Sequence, residues 1–193
     1  ASGTISDSIT LDTTAPTGGS ISINGGNTYT NSTSVTLTLS ATGASEMMVS
    51  EDSSFSGASY EAYSASKSFT LSSGDGTKTV YVKYRNAAGN ETSGTISDSI
   101  TLDTTAPTGG SISINGGDTY TTSTLATLTL SATGASEMMV SEDSGFSGAS
   151  YEAYATSKSF TLSSGDGTKT IYVKYRDAAG NETSGSISDS ITL

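Results

Sequence analysis

The side chains of this sequence that could do chemistry are carboxylates and amides at recurring positions. Asp12 and Asp103 each begin a segment Asp-Thr-Thr-Ala-Pro, and Asn86 and Asp177 each begin a loop (Asn/Asp)-Ala-Ala-Gly-Asn. Carboxylate, amide and backbone oxygens are the hard ligands that calcium prefers. The first chemical hypothesis is therefore calcium binding, with the candidate ligands Asp12, Asn86, Asn90, Asp103, Asp177 and Asn181.

A structural interpretation of the same residues needs no metal. Asp103 would cap a turn and Asp177 would begin one, as aspartate side chains commonly do by accepting backbone N–H groups. If the loops and segments converge, Asp103 approaches Asp177, and Glu137 of the same repeat could join them. Ligand charge raises calcium affinity, so the Asp103/Asp177 pair is expected to bind more tightly than Asp12/Asn86. Both interpretations stay open at this stage.

The sequence contains few residues that could catalyse a reaction. The sequence contains no His, Cys or Trp, which removes the commonest general base, thiol nucleophiles and Ser-His-Asp chemistry. Glu46, Glu51 and Asp52 are the nearest approach to a paired-carboxylate hydrolase site, but their Ser- and Gly-rich surroundings favour a solvated loop. We predict no catalytic residues and no enzyme activity.

Two further patterns have competing explanations. The tyrosines at Tyr60, Tyr63, Tyr81, Tyr151, Tyr154 and Tyr172 could stack on a glycan, but cross-strand packing is the favoured interpretation. The acceptor pattern for N-glycosylation occurs at Asn31, Asn90 and Asn181. In a chain this rich in Ser, Thr and Asn the pattern arises easily by chance, although loop positions for Asn90 and Asn181 predict exposure.

The charge and hydropathy of the chain exclude two classes of partner. The formal net charge is −11, which disfavours nucleic acid and anionic lipid and favours solubility. No stretch approaches the roughly 20 apolar residues of a membrane-spanning helix. We therefore expect no nucleic-acid binding and no membrane insertion.

The sequence is a repeat with a period of 91 residues. Residues 2–16 are identical to residues 93–107, and residues 184–193 nearly repeat the beginning of that stretch. A period of this length corresponds to a domain. The predicted organisation is the final strand and linker start of a preceding repeat at 1–12, a first repeat at 13–103 and a second at 104–193.

Within each repeat, apolar residues alternate with Thr or Ser at 35–41, and Val80, Val82 and Tyr84 alternate with Tyr81 and Lys83. Such alternation predicts half-buried strands, and the turn signals between them predict about seven short strands per repeat. This pattern is typical of an immunoglobulin-like β-sandwich. We predict an all-β protein of tandem sandwiches arranged as an elongated rod. Asp7 falls on the apolar side of its alternation, which indicates either a β-bulge or an inward-pointing carboxylate at an edge.

The motifs Asp-Thr-Thr-Ala-Pro-Thr, Ser-Ile-Ser-Ile-Asn-Gly-Gly, Asp-Gly-Thr-Lys-Thr-(Val/Ile)-Tyr-Val-Lys and Ala-Ala-Gly-Asn resemble bacterial immunoglobulin-like repeats of very large surface and secreted proteins. The likeness extends over essentially the whole chain. It implies an extracellular or cell-surface location and a role as a spacer or a contact surface. Some members of that family bind calcium at the joints between repeats. We therefore expect that the protein requires no cofactor, and calcium is the one ion that the resemblance suggests it could bind.

The function expected from these observations is structural. The chain would be a spacer in an extracellular fibre, stalk or giant adhesin, giving reach and stiffness. The alternatives are a glycan- or protein-binding adhesion module and accessory domains of a secreted enzyme. The expected partners are neighbouring repeats, and also other copies of the chain through strand pairing by residues 2–11.

Overall fold

The structure is a computed structural model that describes residues 4–185 and 187–193. These residues form β-strands and one short 3-10 turn at Asn24–Gly26, and they contain no α-helix. The chain divides into two compact units: residues up to 28 with 32–102, and residues 29–31 with 103–193. The predicted all-β class is confirmed.

The strands are short and follow one another with brief connections. In the first 102 residues they are β1 (Thr17–Ile23), β2 (Tyr29–Thr30), β3 (Ser34–Thr42), β4 (Glu46–Ser50), β5 (Glu61–Ala62), β6 (Ser66–Thr70), β7 (Gly76–Arg85) and β8 (Ile96–Leu102). The remaining strands are β9 (Thr108–Ile114), β10 (Leu125–Thr133), β11 (Glu137–Ser141), β12 (Glu152–Ala153), β13 (Ser157–Thr161), β14 (Thr168–Arg176) and β15 (Ile187–Thr192). Apart from β2, which belongs to the second unit, each unit has the predicted seven strands among the described residues.

Each unit packs two antiparallel sheets on one core. In the first unit one sheet has the order β1-β3-β6 and the other contains β8-β7-β4-β5. The second unit repeats this with β9-β10-β13 and β15-β14-β11-β12. The two sheets of each unit contribute to a single buried apolar cluster, so each unit is a β-sandwich.

The alternation in the sequence sets which side chains enter the core. Along β3, Val35, Leu37 and Leu39 are buried while the intervening Ser and Thr residues are exposed, as the two-residue period of a strand requires. Strand β4 has two adjacent methionines, which lie on opposite faces of the sheet. Met47 is buried, and Met48 is half-buried on the opposite face.

The inward-pointing aspartate is explained by a bond between the two sheets. Asp98, the equivalent of Asp7, pairs with Val80 in a β7–β8 register without a shift, so it is not at a bulge. Its Oδ2 accepts a hydrogen bond of 2.8 Å from the backbone N–H of Ile23 in the opposite sheet. Asp189 accepts the same 2.8 Å bond from Ile114 in the second unit. Each carboxylate thereby satisfies a backbone donor at the edge of the sandwich.

Residues 4–12 do not form the strand that their alternation predicts. No β-ladder of the described residues includes them, and Ile5, Ile9 and Leu11 are 98%, 98% and 87% exposed. A strand needs a neighbour for its backbone N–H and C=O groups, and no strand among the described residues pairs with this segment. Residues 1–3 of the predicted strand lie outside the described residues.

Candidate functional site

The Asp-Thr-Thr-Ala-Pro segment leads into the first strand of each unit and begins with a local turn. Asp12 Oδ1 accepts a hydrogen bond of 2.9 Å from the backbone N–H of Thr14, and Asp103 Oδ1 accepts one of 3.0 Å from Thr105. The prolines that end the two segments are buried. The turn-capping role considered for Asp103 is therefore present, and it uses one carboxylate oxygen.

In the first unit the loop after β7 closes onto this segment through amide groups. Asn86, only 7% exposed, accepts at Oδ1 from the N–H groups of Ala88 and Asn90 at 3.0 and 2.9 Å. Its Nδ2 donates to Asp12 Oδ2 and to Thr14 O, both at 2.9 Å. The Asn86 amide thus joins the loop to the segment, with its oxygen accepting two hydrogen bonds and its nitrogen donating two.

The second unit has the same loop with a carboxylate in place of that amide. Asp177, 6% exposed, accepts at Oδ1 from Ala179 and Asn181, each at 2.9 Å. Its Oδ2 accepts from Asn181 Nδ2 at 2.9 Å, and the same nitrogen donates to the Asp103 carbonyl at 2.8 Å. A carboxylate has no proton to donate, so the two bonds that Asn86 Nδ2 makes have no counterpart here.

The structure therefore brings together the predicted ligands of each unit. Asn90 also reaches its segment, donating from Nδ2 to the Asp12 carbonyl at 2.8 Å. In the second unit a surface pocket of about 280 Å³ lies beside the two carboxylates and is lined by Asp103, Thr105, Ala106, Pro107, Thr108, Thr133, Gly134 and Asp177. Glu137 is engaged elsewhere, because its Oε2 accepts a 2.6 Å bond from Arg176 Nε.

The donor chemistry of the two units differs in its suitability for calcium. In the first unit the Asn86 Nδ2 donor occupies the position between Asp12 Oδ2 and Thr14 O, so its protons face the oxygens that a cation would need. In the second unit an oxygen stands at that atom position, and calcium is bound by oxygens. Within the described ranges, no group of three or more Asp and Glu side chains could hold a metal. The second unit thus offers two carboxylates and would have to complete its ligand set from carbonyls and water.

The carboxylates considered for hydrolysis are committed to separate structural bonds. Glu46 Oε2 accepts from Arg85 Nε at 2.5 Å, and this bond holds the pKa of Glu46 below its usual value. Glu51 Oε2 accepts from the Ser72 N–H at 2.8 Å. Asp52 caps its own loop, accepting from the Ser54 N–H at 2.8 Å, which lowers its pKa. They do not form a pair facing a common substrate position.

The tyrosines considered for glycan stacking have neighbours on their rings. The guanidinium of Arg85 lies 3.8 Å from the ring centre of Tyr60, in cation–π geometry. Tyr63 packs edge-on against Tyr84 at 5.9 Å between ring centres. Tyr81 is half-buried and lies opposite Ser50 in the β4–β7 register. Of the two interpretations, packing on the sheet describes Tyr60 and Tyr63, and the equivalent contacts recur at Tyr151 and Tyr154.

The glycosylation pattern at Asn90 and Asn181 falls on side chains with structural bonds. Both are partly buried rather than fully exposed. Their amide nitrogens, which would carry the sugar, donate to the carbonyls of Asp12 and Asp103. The expectation that Asn90 and Asn181 are exposed is therefore wrong, because both side chains are half-buried.

Comparison with known proteins shows the fold. No family model and no curated protein matches the sequence. The chain is similar to the fibronectin(III)-like modules of CbhA from Clostridium thermocellum, with a TM-score of 0.55 and 10% identity over 89% of this chain and 92% of that one. The likeness indicates a fibronectin-III-like β-sandwich.

Two other similar structures come from adhesion proteins. One is a tetra-tandem repeat in the extending region of a large adhesion protein, with a TM-score of 0.31 and 21% identity over 91% of this chain. The other is a Ca²⁺-stabilized adhesin that helps an Antarctic bacterium reach out and bind ice, with a TM-score of 0.44 and 19% identity over 94% of this chain. The chain spans 48% and 49% of those two chains.

Proposed function

We propose that the chain is a structural spacer segment of an extracellular or cell-surface fibre, stalk or large adhesin. The observation that carries the proposal is that each unit buries its own apolar cluster from equivalent residues. Repetition of nearly the same self-contained module adds length without adding a distinct recognition surface. The two units follow one another in the sequence, and the role proposed for the segment is to supply reach.

The charge and the polar side chains of the chain are suited to a spacer surrounded by water. The formal net charge of −11 is large for a chain with only 8 Lys and Arg residues, and it opposes association between copies. Thr and Ser side chains occupy the outward positions of β3, and all those of β10 except the first, which is Leu125. The described residues contain no helix long and apolar enough to cross a membrane.

Single-molecule stretching tests whether the two modules bear load separately. Pulled from its ends, the chain is expected to unfold in two events of similar force, each lengthening it by roughly 300 Å, as about 90 extended residues would. One event that releases the whole chain would overturn the proposal of separate modules. A glycan array probed with the same chain tests adhesion: selective binding to a glycan class would favour a recognition module over a spacer.

Calcium enters this proposal as a stabiliser of one unit. The fit is better in the second unit, where Asp177 replaces the amide donor of Asn86, and the residues that would hold the ion are Asp103 and Asp177. A bound cation would offset the repulsion between the two carboxylates and fix the loop to the segment that precedes β9. The role is mechanical and involves no reaction.

A further inference from the structure

Two turns of the chain contain the sequence asparagine–glycine, which undergoes spontaneous deamidation when its atoms can meet. Asn24 is followed by Gly25, and Asn115 by Gly116. In this reaction the peptide nitrogen of the glycine bonds to Cγ of the asparagine, and the bond from Cγ to Nδ2 breaks with release of ammonia. Water then opens the resulting succinimide and leaves aspartate or isoaspartate. Glycine favours the reaction because no Cβ hinders its nitrogen.

Solvent reaches both turns in the folded protein. Gly25 and Gly116 are exposed, and Asn24 and Asn115 are half-buried. Each turn directly follows the first sheet strand of its repeat, β1 or β9. Burial therefore does not keep water from the asparagines, and any protection has to come from the conformation of the turn.

The backbone of each asparagine lies in the left-handed region. The φ angle is 47° at Asn24 and 49° at Asn115, and ψ in this region is also positive, at about 30–60°. At such a ψ the next peptide nitrogen lies nearly opposite Cβ across the Cα–C bond. The five-membered succinimide ring requires that nitrogen and Cβ on the same side. The folded turn therefore keeps the two reacting atoms apart.

Hydrogen bonds to the central strand of the sheet hold each asparagine in this conformation. Asn24 Oδ1 accepts from the Thr36 N–H at 2.9 Å, and Asn115 Oδ1 accepts from the Thr127 N–H at 2.8 Å. In the second unit the Asn115 N–H also donates to the Thr127 carbonyl at 2.8 Å. The bonded residues are 12 positions apart, so the bonds exist only while the turn lies against its strand. Unfolding of the unit releases the backbone and the side chain together.

We propose that Asn24 and Asn115 are deamidation sites controlled by the folding of their own unit. Each is protected within the sandwich and reacts when that unit opens, so deamidation is a chemical record of unfolding. The two products differ in their effect on refolding. Aspartate in place of Asn24 keeps an oxygen that can accept from the Thr36 N–H, whereas isoaspartate lengthens the main chain by one carbon and displaces that oxygen. The proposal is independent of the spacer function.

The test compares both sites in the folded and the unfolded chain. The full chain is incubated at mildly alkaline pH in native buffer and in guanidinium chloride. Mass spectrometry of proteolytic fragments then locates each conversion of an amide to a carboxylate. We expect both sites to convert in denaturant, and to convert at least about tenfold more slowly in the native chain, since opening of a folded unit is infrequent. Equal rates in the two conditions would overturn the proposal. Asn24→Asp serves as the reference that verifies the assignment of the first site.

Destabilising one unit provides a matched control within the same molecule. Val35→Ala opens space in the core of the first unit and leaves the second unit unchanged. In native buffer we expect Asn24 to convert roughly tenfold faster in this variant, because the opened fraction of its unit rises, while the rate at Asn115 stays the same. If the first unit of the variant does not fold, Asn24 should convert at the rate seen in denaturant and Asn115 at its native rate. An unchanged ratio of the two rates would contradict control by folding.

Discussion

Asn86 donates from Nδ2 to Asp12 Oδ2 at 2.9 Å, and at the same two positions of the second unit stand two carboxylates, Asp177 and Asp103. One atom, nitrogen or oxygen, therefore changes how the loop after β7 or β14 is attached to the segment that begins the same unit. In the first unit the attachment is complete with the protein's own atoms. In the second, Asn181 Nδ2 still donates to the Asp103 carbonyl, but Asp177 cannot make the two bonds that Asn86 Nδ2 makes, and the first prediction depends on this difference.

Exchanging the two side chains should exchange the behaviour of the units. In calcium-free buffer, Asp177→Asn should stabilise the second unit by about 1–2 kcal/mol, because it restores two hydrogen bonds and removes a buried negative charge. Asn86→Asp should destabilise the first unit by a similar amount. Thermal unfolding in the presence of a chelator measures both changes.

Calcium should act on the units that carry the carboxylate. Calorimetric titration of the native chain is expected to show binding that Asp177→Asn removes, and Asn86→Asp should add a second site. If the native chain gives no heat above dilution at millimolar calcium, the aspartates are turn caps and the calcium proposal is wrong.

The carboxylate that joins the sheets should contribute measurably to stability. Asp98→Ala leaves the Ile23 N–H without its acceptor in a partly buried place, so we expect the first unit to lose about 1–3 kcal/mol. Asp189→Ala should have the same effect on the second unit. Urea unfolding of the two variants provides the comparison, and a loss below about 0.5 kcal/mol for both would show that water replaces the carboxylate at no cost.

The neighbouring substitutions on β3 and β10 should have unequal effects. Val35 is buried and Ser34 is exposed, while the second repeat has Ala126 and Leu125 at these places. Val35→Ala should cost roughly 1–3 kcal/mol by opening space in the core. Ser34→Leu, the matched control, should change stability by less than about 0.5 kcal/mol because its side chain stays in solvent. Denaturant unfolding would contradict this if the surface substitution had the larger effect.

Acid should weaken the fold through Glu46. Its pKa is lowered in the folded state by the bond from Arg85, so the group contributes stability above its unfolded pKa of roughly 4.3, and that contribution is lost as the pH falls through the folded value. Glu46→Gln should lower the melting temperature at pH 7 and make little difference at pH 2–3. Melting curves across this range test the sign, and an equal effect at both ends would contradict it.

The sequence predicts the sandwich better than it predicts the side-chain hydrogen bonds that connect its strands and loops. Alternation along β3 and β7 identifies the core because burial on one face of a strand follows the two-residue period. The role of Asp98 required the opposite sheet, since its partner Ile23 is 75 residues away. The convergence of Asp103 with Asp177 could be expected from the fold class, but the use of Asn90 and Asn181 as amide donors depends on side-chain directions that no spacing reveals.

Residues 4–12 show that an alternating sequence alone does not determine whether a strand forms. Their alternation is as regular as that of β8 and β15, yet among the described residues the strand forms where β7 or β14 supplies a backbone edge. Strand propensity describes fitness for a partly buried, paired surface rather than an intrinsic preference. The sequence therefore identifies a strand-forming segment without determining whether a partner is present.

Small-angle X-ray scattering of the whole chain tests the spacer proposal most directly. A single compact body of 193 residues would have a radius of gyration of about 16 Å. Two sandwiches placed in tandem should give a clearly larger radius and a distance distribution with an extended tail, unchanged between low and high protein concentration. A radius near that of the compact body, with a symmetric distance distribution, would contradict the account.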